Sequence, residues 1–98
     1  MVSINTLLQS LMFILVSHTI SMPAEFWGLV QKYFPHMPEV GVRRVVSIFP
    51  NENMDQCTCI WEADSIEMLN EFLKNKIGKI SRYSFYQVNE ANAIGLST

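Results

Sequence analysis

The order of the predicted secondary-structure elements is what most constrains this chain, because a strand–helix–strand unit occurs twice within 98 residues. Runs of β-branched and apolar side chains predict strands, and apolar side chains at three- and four-residue spacing predict helices. The predicted strands cover residues 13–20, 42–49, 56–63 and 83–89, and the predicted helices cover residues 23–33 and the stretch between Asp64 and Gly78. This order leaves almost no residues for linkers between elements.

Capping residues set the ends of both predicted helices. Ser21 and Pro23 indicate the start of the first helix, since a serine can cap free amides and proline is tolerated in the first turn. Asp64 is the expected N-cap of the second helix, with Glu67 three residues later in a pattern that resembles a capping box. Gly78 is expected to end that helix.

The element order most simply closes into a ferredoxin-like α+β fold. Crossover connections between parallel strands are right-handed, so β-α-β-β-α-β gives an antiparallel sheet with two helices on one face and with the first and third strands at its centre. The other face of the sheet would be left open. Since 49% of the residues are hydrophobic, we expect a homodimer in which two open faces meet to form an α+β barrel.

Length and charge bound the domain organisation and the partners. We expect one domain over residues 12–96, an N-terminal extension or arm over residues 1–11 and a short tail over residues 97–98, with Met1 and Met12 both candidate starts. Residues 7–16 resemble the apolar region of a secretory signal, but no basic residue precedes them and their removal would cost a strand, so a cytoplasmic location is expected. A net charge of −2 argues against nucleic-acid and membrane-surface partners.

Three residues are candidates for catalysis. His18 lies near the carboxyl end of a predicted central strand, where an imidazole can transfer protons or bind a metal ion, or can simply be a hydrogen-bonded histidine at a strand end. Glu62 and Tyr86, on the third and fourth strands, are candidate acids or bases. His36 lies between two prolines and is expected to be an exposed loop residue.

Aromatic side chains predict a ligand site or a core. Trp27, Trp61 and Tyr83 are the candidates for binding a planar or apolar ligand, although aromatic residues also serve as core or interface residues. The pair Cys57 and Cys59 resembles a metal or redox motif, but alternate residues on an extended strand stand roughly 6.6 Å apart, and a second pair of ligands is missing. Two reduced, buried thiols are the preferred interpretation.

Several segments carry a family resemblance: Ser17-His18-Thr19-Ile20, Glu25-Phe26-Trp27, Trp61-Glu62-Ala63-Asp64-Ser65, Phe85-Tyr86-Gln87-Val88-Asn89, Asn92-Ala93 and Gly95-Leu96. Together they resemble uncharacterised bacterial and archaeal proteins of the dimeric α+β barrel superfamily, which includes nickel-binding relatives, monooxygenases and isomerases. The resemblance covers residues 12–96. It implies a homodimer, with nickel or another divalent metal ion as the cofactor to test and His18 as its ligand.

These observations favour a small homodimer that binds a small molecule or a metal ion. The alternative is a cofactor-independent monooxygenase- or isomerase-like enzyme acting on a hydrophobic substrate, and a structural dimer without a ligand is the third interpretation. The enzyme requires an acid or base such as Glu62 or Tyr86 within hydrogen-bond reach of the reacting atom. Binding requires only a formed cavity or a few convergent ligand atoms.

Overall fold

The computed structural model describes residues 11–34 and 41–96 of the chain. Four strands and two helices follow one another in these ranges, ending in a short 3₁₀ turn. In chain order they are β1 (Met12–Ile20), α1 (Pro23–Tyr33), β2 (Val42–Pro50), β3 (Gln56–Ala63), α2 (Ile66–Ile77) and β4 (Ser81–Gln87), with the 3₁₀ turn at Glu90–Asn92. The predicted order β-α-β-β-α-β is therefore confirmed.

The four strands form one antiparallel sheet in the order β2-β3-β1-β4. β1 pairs with β3 on one side and with β4 on the other, so the first and third strands are central, as predicted. β2 pairs with β3 and has two register irregularities, between Val42 and Arg44 and between Val45 and Ser47. Successive side chains of a strand point to opposite faces of the sheet, so this register decides which residues share a face.

Both helices pack on the same face of the sheet, and the core lies between them and that face. Alternate residues of β1 and β3 meet the apolar stripes of α1 and α2 there. The buried apolar residues of these four elements are Ile14, Val16 and Ile20 of β1, Phe26 and Val30 of α1, Cys57, Cys59, Trp61 and Ala63 of β3, and Leu69, Phe72, Leu73 and Ile77 of α2. We call this the packed face, and the opposite side the open face.

The expected caps were wrong at both helix starts. Met22 is the N-cap of α1 and makes no side-chain cap hydrogen bond, while the Ser21 hydroxyl donates to the Ile80 carbonyl oxygen at 3.0 Å.

The expected N-cap of the second helix was wrong by one residue. Ser65 caps α2, and its side-chain oxygen accepts a hydrogen bond from the Met68 backbone N–H at 3.1 Å. Asp64 instead forms an ion pair with Arg43 at 3.1 Å. Aspartate and serine both cap helices well. The ion pair with Arg43 of β2 engages Asp64, and Ser65 is the cap.

The fourth strand lies earlier in the chain than predicted, at Ser81–Gln87 instead of residues 83–89. Its first two residues, Ser81 and Arg82, are polar and carry little strand signal, yet they pair with Ile20 and Thr19 of β1. Pairing with a central strand therefore overrides local propensity here.

Gly78 ends α2 as predicted, but with a right-handed backbone (φ −63°). A Cβ atom at this position would lie 2.6 Å from the Lys74 carbonyl oxygen, so close approach to the preceding turn explains the glycine. Within the described ranges, no helix is long and apolar enough to cross a membrane.

Candidate metal site on the packed face

Three potential metal ligands converge on the packed face of the sheet: His18 of β1 with Cys57 and Cys59 of β3. The antiparallel register places His18 opposite Cys57 and Val16 opposite Cys59. Because Cys57 and Cys59 are two residues apart on a strand, they project to the same face, and that is the face on which His18 lies. The three side chains are 2%, 4% and 0% exposed, respectively.

The ligand atoms of the three residues all lie within 4.8 Å of one another. The two sulfur atoms are 3.8 Å apart, and neither cysteine is in a disulfide. Two thiolates bound tetrahedrally to one ion at about 2.3 Å would themselves be roughly 3.8 Å apart. The sulfur atoms therefore already stand at the separation that a shared metal ion requires.

His18 has one ring nitrogen that is held and one that is left without a partner. Nδ1 lies 3.4 Å from the Ser81 hydroxyl, which in turn donates to the Ile77 carbonyl oxygen at 3.4 Å. Nε2 is buried and has no hydrogen-bond partner among the described residues. The ring is flanked by Phe26 and Tyr83, with centroids at 5.3 Å and 5.8 Å. The contact at Nδ1 thus orients the ring, and the lone pair of Nε2 is available to bind an ion.

Burial sets the protonation of this cluster. Desolvation lowers the pKa of His18 from 6.5 to about 4, so the imidazole is neutral at neutral pH. The hydrogen bond between the thiols lowers the pKa of Cys57. The same bond, together with burial, raises the pKa of Cys59. The imidazole is therefore neutral, and the thiol pair loses its first proton from Cys57. Such a set of donors is suited to a cation.

The sequence pointed to His18 and did not connect it to the cysteines. Cys57 and Cys59 are buried free thiols, as expected. Strand geometry argued against a metal motif at the two cysteines because alternate residues of a strand stand well apart, yet in the fold their sulfur atoms lie 3.8 Å from each other. The missing donor is on another strand, and the register between β1 and β3 is what brings it in.

The other two catalytic candidates lie on the open face. Glu62 pairs in register with Phe13, and its carboxylate accepts a hydrogen bond from Arg44 at 3.0 Å. Tyr86 pairs with Leu15 and is 58% exposed. Since His18 is on the packed face, the sheet itself separates it from both residues. His36 lies outside the described residues.

The three aromatic ligand candidates have different surroundings. Trp61 is fully buried in the core against Phe34 and Phe72, with ring centroids at 4.7 Å and 5.6 Å. Trp27 is partly buried, and its Nε1 donates to the Met54 carbonyl oxygen at 2.8 Å. Tyr83 is the one of the three whose ring packs against His18.

The hydroxyl of Tyr83 donates to the Asn70 side-chain oxygen at 3.0 Å. Burial, together with Glu71, raises the pKa of this phenol. The uncharged ring of Tyr83 therefore packs beside His18, and its hydroxyl is hydrogen-bonded to Asn70 of α2.

One cavity opens on the open face of the sheet, and another lies at the end of the sheet. One, of about 370 Å³, lies between the open face and the C-terminal segment, and its lining residues are Leu15, Ile60, Tyr86, Val88, Asn89, Asn92, Ala93, Ile94, Gly95 and Leu96. We call it the C-terminal groove. The other, of about 310 Å³, lies at the end of the sheet, where His18 and Cys57 are among its lining residues.

No family model and no curated protein sequence matches this chain. Among solved structures, that of Rv0793 from Mycobacterium tuberculosis is similar at 11% sequence identity and a TM-score of 0.49. The alignment covers 76% of this chain and 91% of that one. The ferredoxin-like α+β fold assigned here rests on the strand order and on the two helices that share one face.

Proposed function

We propose that this protein binds a transition-metal ion through Nε2 of His18 and the sulfur atoms of Cys57 and Cys59. The observation that carries the proposal is the buried Nε2 without a hydrogen-bond partner, located beside two free thiols. A buried polar atom left without a partner costs roughly 1–3 kcal/mol. Coordination by a metal ion would satisfy this nitrogen and both sulfur atoms at once.

The surroundings of His18 support the same assignment. Histidines that bind metals usually hold their second ring nitrogen in a hydrogen bond, which fixes the tautomer and the ring orientation. The contact between Nδ1 and Ser81 at 3.4 Å fits that arrangement, with Ser81 itself bonded to the Ile77 carbonyl oxygen. In this assignment Nδ1 carries the proton and Nε2 is the ligand atom.

Metal retention is favoured over turnover because of where the acid and base candidates lie. The monooxygenase- or isomerase-like alternative needs a proton donor or acceptor beside His18. Glu62 is engaged with Arg44 on the open face, and Tyr86 is exposed there. The described residues therefore supply ligands for an ion near His18, without bringing either candidate to it.

A homodimer that binds a small molecule on its open face is the second proposal, and the C-terminal groove supports it. The groove has about 370 Å³ of space and an apolar floor of Leu15 and Ile60. Tyr86, which also lines the groove, is 58% exposed, and Phe49, on the same face of the sheet, is 62% exposed. A second copy of the chain would cover these aromatic side chains and close the groove into a chamber suited to an apolar ligand.

Native mass spectrometry of the purified, untagged protein tests the metal proposal and the subunit count together. We expect one ion per chain in the unaltered protein and loss of that ion in His18→Ala and in Cys59→Ser. His36→Ala is the matched control, because it removes the chain's other histidine, and it should keep the ion. Circular dichroism confirms that each variant is folded. Equal metal retention in His18→Ala and in the unaltered protein would remove His18 from the site.

A further inference from the structure

We infer that the C-terminal end of α2 sets the tautomer of His18 through the hydroxyl of Ser81, and so prepares Nε2 to bind an ion. This inference rests on the proposed metal function and adds a positioning residue to that site. Three features carry it: the burial of Ser81, the direction of its hydrogen bonds and the turn that holds it in place.

Ser81 is buried in a core with few polar side chains. Among the described residues, the buried polar or charged side chains are those of His18 and Ser81, which are 2% and 5% exposed. The pairing of β1 with β4 places Tyr83 opposite His18, so Ser81, two residues earlier, lies diagonally across on the same face. A hydroxyl that leaves water without a hydrogen bond costs free energy. The contact of Ser81 with His18, at 3.4 Å, therefore accounts for a polar side chain at this buried position.

The direction of the hydrogen bonds assigns the proton on the imidazole. A serine hydroxyl has one proton, and Ser81 donates it to the Ile77 carbonyl oxygen at 3.4 Å. Its oxygen can then only accept a hydrogen bond from the ring, so Nδ1 of His18 carries the proton and Nε2 keeps its lone pair. The opposite tautomer would take the Ser81 proton away from Ile77 and would place an N–H group at Nε2, which is buried and has no partner among the described residues.

The carbonyl group that accepts from Ser81 belongs to the last residue of α2, Ile77, at the negative end of the helix dipole. Its oxygen also accepts from the Ile80 N–H at 3.1 Å, which uses both of its lone pairs. Hydrogen bonds in a chain polarise one another, so the hydroxyl that donates to this carbonyl is a stronger acceptor toward His18. A stronger bond at Nδ1 raises the basicity of Nε2 as a ligand.

The turn between α2 and β4 fixes the position of Ser81. Gly78 permits the turn, since a Cβ atom there would lie 2.6 Å from the Lys74 carbonyl oxygen. The backbone N–H and the hydroxyl of Ser21 both donate to the Ile80 carbonyl oxygen, at 2.9 Å and 3.0 Å. The backbone on the N-terminal side of Ser81 is thus tied to the end of β1, and the hydroxyl is held beside the imidazole.

Nitrogen-15 NMR of the metal-free protein at neutral pH tests the tautomer directly. We expect the proton of His18 on Nδ1 in the unaltered protein and a mixture of both tautomers in Ser81→Ala. Ser84→Ala makes the same change at an exposed residue of the same strand, so it is the matched control and should keep the Nδ1 proton. The chain has two histidines, so His36→Ala identifies the His18 signal. A proton on Nε2 in the unaltered protein, or an unchanged tautomer in Ser81→Ala, would overturn the inference.

Metal affinity supplies a second test, with Zn²⁺ as the probe in competition with a chromophoric chelator. We expect Ser81→Ala to bind Zn²⁺ about 10- to 100-fold more weakly than the unaltered protein, and Ser84→Ala to bind it equally well. Equal affinity in Ser81→Ala would overturn the inference and leave the metal proposal standing. If the unaltered protein binds no ion, the metal proposal fails, and the NMR measurement alone decides whether Ser81 sets the tautomer.

Discussion

The two faces of the sheet differ in what their side chains can do, although the same strands build them. Along β1, Val16 and His18 on the packed face are buried, whereas Ser17 and Thr19, which alternate with them, are exposed on the open face. The packed face therefore fixes its polar groups in place and removes them from water. The open face keeps its polar groups solvated and exposes large aromatic side chains.

This difference shows why a single histidine on the packed face carries more functional information than several polar residues on the open face. A polar atom in water loses nothing by lacking a protein partner, but a buried one does. Nε2 of His18 is such a buried atom, and the two thiols beside it are possible partners through a shared ion. On the open face, the informative features are instead apolar, namely exposed Phe49 and Tyr86.

The largest expected effect is on the packed face, where Trp61→Ala should lower the free energy of unfolding by about 3–5 kcal/mol. Trp61 is fully buried and packs against Phe34 and Phe72, so its removal leaves a cavity. Urea denaturation followed by circular dichroism measures the loss. Trp27→Ala is the matched control, and we expect a smaller loss because Trp27 is only partly buried. Equal losses would show that burial does not distinguish the two positions.

The next largest effect is a dependence of the free energy of unfolding on pH, which arises from His18. Because burial lowers its pKa from 6.5 to about 4, the unfolded chain binds a proton between these values and the folded protein does not. The free energy of unfolding therefore keeps its full value above pH 6.5. It falls by about 3 kcal/mol in total as the pH decreases toward 4.

Urea denaturation of the metal-free protein across this pH range checks the prediction. His18→Gln removes the titrating group and keeps a polar side chain, so its stability should change less with pH than that of the unaltered protein. Parallel pH curves for the two proteins would contradict the assignment of the shift to His18.

The smallest effect on folding is expected on the open face. Phe49→Ser and Tyr86→Ser should change the free energy of unfolding of the monomer by no more than about 0.5 kcal/mol, because both side chains are already exposed. If two copies meet through this face, the same changes weaken self-association, which sedimentation velocity measures. Met68→Ser, which alters an exposed apolar residue on α2, should leave association unchanged. Unaltered association in all three variants would place the dimer contact elsewhere.

The sequence was sufficient for the fold because the fold depends on long, periodic elements. The helix Pro23–Tyr33 and the strand Gln56–Ala63 have the predicted bounds. The errors fell where local signals were ambiguous or weak. Asp64 and Ser65 are both good caps, and the ion pair with Arg43 engages the first. Ser81 is polar and joins β4 only through its pairing with β1.

The sequence predicted only part of the candidate site. His18 could be identified from its place near the end of a central strand. Its link to Cys57 depends on the register between β1 and β3, which join residues far apart in the chain. A shift of this register by one residue would exchange the two faces. No local pattern specifies it, so the combination of the three ligands became apparent only in the folded arrangement.

Anomalous diffraction from crystals of the metal-loaded protein, recorded on both sides of the absorption edge of the bound metal, tests the central claim most directly. We expect one anomalous peak per chain, within roughly 2.0–2.4 Å of Nε2 of His18 and of the sulfur atoms of Cys57 and Cys59. A metal peak elsewhere in the molecule, or metal-loaded crystals that show no peak among these three side chains, would contradict the metal proposal.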